Sequence, residues 1–441
     1  MRRTIVLLTT MALTLLVASA VALAAGVGSV AAQSSVVGPG ESIQKAINAV
    51  DPGDTIVVRG VHREDVVIRK NGIKLRGVGN AVIEAPARAR ADSPCSKTFG
   101  PEAICVFGDA NLTTGKVNRS INDVSVSGFT IRGFKQKPNK GQTTIMIDVF
   151  GAHNATIVGN HVMGNAGAGI GFSAEGLNNL NNVIENNNLT DNKDDGVFVE
   201  GSGNTTIANN NFTGNAIGME VDNNVNTLIK GNDVTGGFVS IQTEDSKGSK
   251  ILSNTMQRYD ILALLVGGPK RANAKVLAND ISGGDFGIFV TNSHRGTFAA
   301  NKVHNNCAGL VFAADLPEPG NSVGNYQVMG NKVENNAKKC PAVQGRATFS
   351  GIGIGLFGAE GMEVRINHLS GNIPSGPTAV SGGVVVGVDP LFGTTTKPTN
   401  NSVVANNFGR NKPDISWDKS GSGNRFIANN CNTSKPKGLC K

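Results

Sequence analysis

Seven carboxylates of this chain recur at one phase of a repeated stretch: Asp194, Asp195, Glu200, Glu220, Asp222, Glu244 and Asp245. They stand out because the chain as a whole is basic, with a formal net charge of +8 over 441 residues. Carboxylates held close together raise one another's pKa, share a cation, or divide into a general acid and a base. Each of these requires the groups to lie on one surface.

Alternation along three short segments puts them there. In Val197-Phe198-Val199-Glu200, a strand that turns its two valines inward leaves Phe198 and Glu200 outside. The same reading leaves Glu220 and Asp222 outside in Met219-Glu220-Val221-Asp222. In Val239-Ser240-Ile241-Gln242-Thr243-Glu244 it leaves Ser240, Gln242 and Glu244 outside. Stacked about 4.8 Å apart, these segments predict a row of Glu200, Asp222 and Gln242, with Glu220 beside Phe198 and Ser240. Asp194 and Asp195 enter the face from the preceding corner.

A repeat predicts the stacking. Ile207, Asn210, Phe212 and Asn215 form a template: an apolar residue, Asn three later, an apolar residue two after that, and Asn or Gly three further on. It is written also around Asn160, Asn187 and Asn232, and its first Asn returns at Asn254, Asn279, Asn301, Asn331, Asn367, Asn406 and Asn429. The steps from Asn160 onward are 27, 23, 22, 22, 25, 22, 30, 36, 39 and 23 residues. A step near 22 that only lengthens substantially marks a solenoid with loop insertions.

Ile207 and Phe212 are five apart, so one alternating strand cannot turn both inward and a bend lies between them. Asn210 sits at that bend, where Asn tolerates a left-handed backbone and its amide can bond main chain or stack into a ladder. Each turn supplies two or three short strands and no helix of useful length. The predicted fold class is therefore all-β, a single-stranded parallel β-helix. Glycine, 57 residues, and only 5% aromatics suit tight corners and a narrow Val/Ile/Leu core. A solenoid core grows by addition, so one long domain is acceptable. With Trp417 as the one tryptophan, a sandwich lectin that stacks sugars on Trp is disfavoured.

The start of the chain predicts export. Arg2 and Arg3 precede an uncharged run from Ile5 to Ala25, and Val30-Ala31-Ala32 offers a small-residue cleavage site before Gln33. Residues 1–32 read as a signal peptide, with an uncleaved anchor as the alternative. Either way residues 33–441 lie outside the cytoplasm. Six cysteines in an exported chain predict disulfides. The pairings expected are Cys95 with Cys105, Cys307 with Cys340, and Cys431 with Cys440, though other pairings of the six stay open.

Ile43, Ala46, Ile47 and Val50 share one helical face between two turn signals, Gly38-Pro39-Gly40 and Asp51-Pro52-Gly53-Asp54. They predict a helix that caps the first coil, which otherwise exposes a core and strand edges. Insertions are expected near 86–119, 135–143, 316–325, 338–348 and 394–400. Insertions in solenoids tend to gather on one side and wall a binding surface; the alternative is that they are tolerated surface loops.

Four opening segments carry a resemblance: Ser42-Ile43-Gln44-Lys45-Ala46-Ile47, Gly53-Asp54-Thr55-Ile56-Val57-Val58, Glu64-Asp65-Val66-Val67-Ile68 and Gly72-Ile73-Lys74-Leu75-Arg76-Gly77. They resemble the start of secreted right-handed parallel β-helix proteins. That group includes pectate lyases, pectin methylesterases, polygalacturonases, mannuronan epimerases and periplasmic NosD-type proteins. The resemblance covers essentially the whole mature chain, as cap plus repeats, and implies a right-handed β-helix that binds or processes a polysaccharide with uronates among its sugars. The scaffold hosts many chemistries.

Three readings of the acidic face follow. As in pectate lyases, Asp195, Glu200, Asp222 and Glu244 would hold Ca²⁺ and bridge an anionic sugar, with Asp222 and Glu244 as metal ligands. Alternatively, Asp194-Asp195-Gly196 resembles the paired aspartates of polygalacturonases, which makes Asp195 and Glu200 the acid/base candidates beside Asp194. That likeness departs from its pattern: no Asn-Thr-Asp precedes by one coil, no Gly-His-Gly follows, and Arg365-Ile366-Asn367 matches two of three residues of Arg-Ile-Lys. The epimerase Asp-Pro-His-Asp is present only as Asp389-Pro390-Leu391-Phe392. In the third reading the acids simply keep an outward sheet soluble, and the protein is a non-catalytic adhesin or envelope accessory.

Candidate substrate contacts are Glu220, Gln242, Arg258, Tyr259 and His294. An enzyme of this kind would be a lyase, hydrolase or epimerase. The NosD likeness raises copper, but His153, His161 and Met163 do not recur at the spacing a copper site needs. Arg59, Arg63, Arg69, Lys70, Lys74 and Arg76 could meet an acidic polysaccharide. With no interleaved aromatics and an export signal, nucleic acid is not an expected partner. The expected assembly state is a monomer.

Overall fold

Asn210 shows how the repeat folds. Its backbone N–H and its Nδ2 both donate to Oδ1 of Asn232 on the next coil, at 2.9 and 3.0 Å, and Nδ2 also donates to the Ile184 carbonyl at 3.0 Å. The same amide-to-amide bond links Asn160 to Asn187, and the chain of contacts runs on to Asn429. The ladder Asn is thus the buried residue of the corner. The left-handed residue is the one before it: Asn209 (φ 54°), Gly231 (φ 66°), even Ile366 (φ 50°). The sequence reading gave both roles to one Asn. The structure divides them, because an amide that bonds up and down the stack must point inward while its neighbour turns the chain.

These bonds belong to a computed structural model, which describes residues 33–440 apart from 89–92, 96–99, 112–113, 136–143, 175, 269–271 and 343–345. The expected signal segment, 1–32, and nearly all of the expected insertion 135–143 lie outside the described residues. Among the described residues no helix is long and apolar enough to cross a membrane.

Each coil contributes to three parallel sheets of 15, 13 and 14 strands. In the coil of Asn210 these are Thr206–Ala208, Asn211–Thr213 and Ile217–Asp222. The core is one continuous column, in which Ile207, Phe212, Met219 and Val221 are typical. The cap is the helix Ile43–Ala49, with Ile43 and Ile47 buried and Ala46 and Val50 packed partly against the core. The Glu64 carboxylate accepts from Ser42 Oγ (2.9 Å) and from the N–H groups of Ile43 (2.6 Å) and Gln44 (3.3 Å). It therefore satisfies donors that a helix start leaves open.

The three expected disulfides all form. The expected insertion 86–119 is two, because Ile104–Phe107 is a strand of the third sheet, paired with Val66–Ile68 and Ile145–Phe150. The part before it holds Cys95, which is bonded to Cys105 and packs with Val67, Phe107 and Phe150 on the sheet's outer face. The part after it is a hairpin, Asp109–Ala110 with Val117–Arg119. The later insertions gather over the same sheet. Cys340, Phe349 and Leu391 cover the outward Phe286, Phe289, Val311, Phe357 and Val385. Segments 316–325 and 394–400 meet at Asp315, whose carboxylate accepts the N–H groups of Gly320 and Thr396 at 3.0 Å each.

Candidate functional site

The third sheet is thus covered on its outer face toward both ends. Between the covers lie the strands Asp195–Glu200, Ile217–Asp222 and Val239–Glu244. Their outward Phe198, Glu200, Glu220, Asp222, Gln242 and Glu244 are all partly exposed. The acids form the floor of a groove whose end walls are each pinned by a disulfide.

Register arranges the floor in rows. Glu200 lies opposite Asp222, and Asp222 opposite Glu244; beside them run Phe198, Glu220 and Gln242, then Asp195, Ile217 and Val239. The expected row of Glu200, Asp222 and Gln242 is corrected here. The ladder steps by 22 residues at this point, so Glu244 and not Gln242 stands over Asp222. Ser240 also departs from expectation and is fully buried. Strict alternation fails at the start of each strand, where two successive residues turn inward: a Cβ on Gly196 would lie 2.5 Å from the Phe212 ring, and one on Gly218 2.6 Å from Val234. Asp195 stands just before this bend, within electrostatic reach of Glu220 and Asp222.

Electrostatics concentrates on Asp195. The side chain is 3% exposed, and its Oδ1 has no hydrogen-bond partner. Burial pushes its pKa up to about 9, helped by the charges of Asp194, Glu220 and Asp222. Asp222 is pushed up to about 8 by burial and by its hydrogen bond with Glu220, against the opposing N–H of Glu244, which donates to Asp222 Oδ1 at 3.2 Å. Burial and the neighbouring Asp245 and Glu220 raise Glu244 as well, and Gln242 Nε2 donates to Glu244 Oε2 at 3.2 Å. Asp195 and Asp222 are both biased toward their protonated forms. A protonated carboxyl beside carboxylates can donate to an oxygen while a neighbour accepts.

The carboxylate oxygens are of the hard kind that Ca²⁺ takes. However, among the described residues no three of these acids bring oxygens within 4.8 Å of one another. The floor as folded does not close on a cation.

Two of the expected substrate contacts do not line the floor. Tyr259 is 1% exposed, and its hydroxyl donates to Asn306 Oδ1 at 2.6 Å inside the corner stack. His294 begins a strand of the first sheet and is held by Ser322 Oγ at 2.8 Å and by Glu360 at 3.7 Å. Arg258 is exposed at the corner just before Tyr259. Of the weaker family likenesses, Arg365 lies in the first sheet and pairs with Glu363 at 3.1 Å. Asp389 is buried in an insertion, where its Oδ1 accepts the N–H groups of Leu391 and Phe392.

The sequence reading missed Asp148, which shares the row of Phe198 through Gly171. It is fully buried, accepts from Ser173 Oγ at 2.7 Å, and is raised to about 7 by burial. Glu102 beside it is raised well above the usual range by burial and by Asp148. The available signal was an acid at the outward phase of Ile147-Asp148-Val149.

In fold the chain is similar to the A-module of the mannuronan C-5 epimerase of Azotobacter vinelandii, at 15% identity over 88% of this chain and 94% of that one, with a TM-score of 0.47. It is also similar to PfbA, a surface adhesin of Streptococcus pneumoniae, at 14% identity over 87% of each chain and a TM-score of 0.48. The family 28 exopolygalacturonase of Yersinia enterocolitica matches at 13% identity over 89% of this chain and 78% of that one, with a TM-score of 0.50. At such identities these likenesses bear on fold alone. No curated protein sequence is significantly similar to the chain. The right handed beta helix region matches over residues 50–234, 147–258 and 218–408. With three stacked parallel sheets and an unbroken Asn ladder beneath that match, the chain belongs to the right-handed parallel β-helix family.

Proposed function

We propose that the protein binds and processes a polysaccharide outside the cytoplasm, in the groove floored by Asp195–Glu244. One observation carries the reading: Asp195 is a buried carboxyl with an unpartnered oxygen, set in the only stretch of described third-sheet acids left open between two disulfide-pinned covers. Burial of an unpaired polar atom is costly. An oxygen on the substrate would remove that cost when it arrives. In this reading Asp195 protonates the glycosidic oxygen as its bond to the anomeric carbon breaks, Glu200 takes a proton from the water that attacks that carbon, Asp194 tunes Asp195, and Glu220, Asp222, Gln242 and Glu244 hold hydroxyls. A uronate chain fits because the raised pKa values of Asp195 and Asp222 reduce the negative charge it meets on the floor.

A non-catalytic surface role is the second reading, favoured by the place of Arg365, which is off the groove and paired with Glu363. The test uses residues 33–441 with oligogalacturonate, oligomannuronate and a neutral xylan oligomer, with and without Ca²⁺. Calorimetry reads binding; new reducing ends, unsaturated uronate and C5 inversion read turnover. Turnover lost in Asp195→Asn supports catalysis. Binding without turnover, unchanged in Asp195→Asn, supports the adhesin, and no binding at all removes both.

A further inference from the structure

A basic hollow lies away from the acidic floor, at the corner that follows the third sheet in the first coils. It measures about 590 Å³, and its lining includes Arg69, Lys70, Phe107, Asp109, Arg119 and Ser120. Lys70 is committed to the cap: its Nζ donates to the carbonyls of Ile47 (3.0 Å), Asn48 (2.9 Å) and Val50 (2.6 Å) at the end of the helix. Arg69 is placed by an aromatic floor. Its guanidinium stands 5.3 Å above the Phe107 ring, which stacks on Phe150 at 5.1 Å.

Arg119 comes from the other side, at the end of the hairpin Asp109–Ala110 with Val117–Arg119. The hairpin can seat only because residue 108 is glycine: a Cβ there would lie 2.5 Å from the Gly151 carbonyl and 2.8 Å from that of Arg119. Arg69 and Arg119 are both exposed, and among the described residues neither has an ion-pair partner. Asp109 is the single carboxylate in the lining. Two guanidinium groups that share a hollow repel one another. A planar carboxylate answers that repulsion with bidentate hydrogen bonds.

We propose that this hollow binds a uronate carboxylate of an acidic polysaccharide, as an anchoring site separate from the groove. The inference rests on the polysaccharide reading above. It supplies what the acidic floor lacks, a positive contact that selects acidic over neutral or esterified chains. The hollow is lined by the first coils and the acidic floor by later coils of the same solenoid, so a polymer can engage both while a short oligomer reports on each.

The test is calorimetry of residues 33–441 at low salt with trigalacturonate and with its methyl ester. Arg69→Gln/Arg119→Gln is compared with the unmodified protein, with circular dichroism as the check on folding. The expected result is at least tenfold weaker binding of the free acid to the arginine variant, and at least tenfold weaker binding of the ester than of the free acid to the unmodified protein. Added salt weakens the free-acid binding, because the arginines are exposed. Equal affinity for acid and ester overturns the proposal and needs no variant. It leaves the groove reading standing, because that reading is decided separately by turnover and binding in Asp195→Asn.

Discussion

The Tyr259 hydroxyl reaches past Gly284 to donate to Asn306 Oδ1 at 2.6 Å, and the Gly284 N–H donates to the same oxygen at 3.1 Å. A second run of stacked amides links Asn165, Asn192 and Asn215 and resumes at Asn306, Asn336 and Asn372; in the interval between them the Tyr259 phenol bonds to the first amide of the resumed run. A Cβ on Gly284 would lie 1.9 Å from the Tyr259 ring, so the two residues form one unit. Tyr259→Phe removes a neutral buried hydrogen bond and is expected to cost about 1–2 kcal/mol. Gly284→Ala should cost more, since neither ring nor backbone has room. Urea unfolding together with amide exchange at residues 259–310 measures both. Equal stability of all three proteins would mean that the corner is held by main-chain bonds alone.

How far this was legible in the sequence varies by residue. The Asn at Asn210 and its returns announced the coil, the ladder and the parallel sheets, because a stacked amide tolerates almost no substitute. The acidic face was legible too, though with Gln242 in the wrong row. Tyr259 stands among the expected substrate contacts because it lies in a corner beside Arg258 and Asp260, and corners are mostly polar. Its one signal is Gly284 a coil later, which only a three-dimensional stack connects to it. Likewise Gly196 and Gly218 hide a bend that simple alternation cannot express, and this is why Ser240 was placed outside. Asp148 went unnoticed because its cover comes from residues distant in sequence.

Asp195 makes the groove sensitive to pH in a definite direction. Its folded pKa, raised to about 9, exceeds the unfolded value near 3.8. The folded state therefore binds more protons across that interval, and stability falls as pH rises through it. Asp222, raised to about 8, and Asp148, at about 7, act in the same sense. The contribution is fully present below pH ~4 and lost by pH ~9. Asp195→Asn cannot ionise, so it should gain stability relative to the unmodified protein as pH rises from 5 toward 9, by about 1 kcal/mol or more. Parallel urea curves at pH 5, 7 and 9 decide it. A difference that does not change with pH would show that Asp195 titrates normally.

Arg346 holds the second cover in place. Its side chain is 9% exposed, pairs with Asp285 at 2.8 Å, and stands 4.8 Å above the Phe349 ring and 5.5 Å above that of Phe286. Removing one member of a mostly buried pair strands the other charge and costs about 3–5 kcal/mol. Arg346→Ala should therefore loosen the insertion around 338–349, while Cys340 remains tied to Cys307 and the coils beneath stay folded. Limited proteolysis should cut this segment faster in the variant, with the circular dichroism of the β-helix unchanged. Arg346→Met with Asp285→Asn keeps the stacking and removes both charges, and it should restore resistance, since a buried pair replaced as a whole costs little. If the double variant is cut as fast as Arg346→Ala, the charge pair and not the aromatic packing holds the cover, and groove binding should weaken in both.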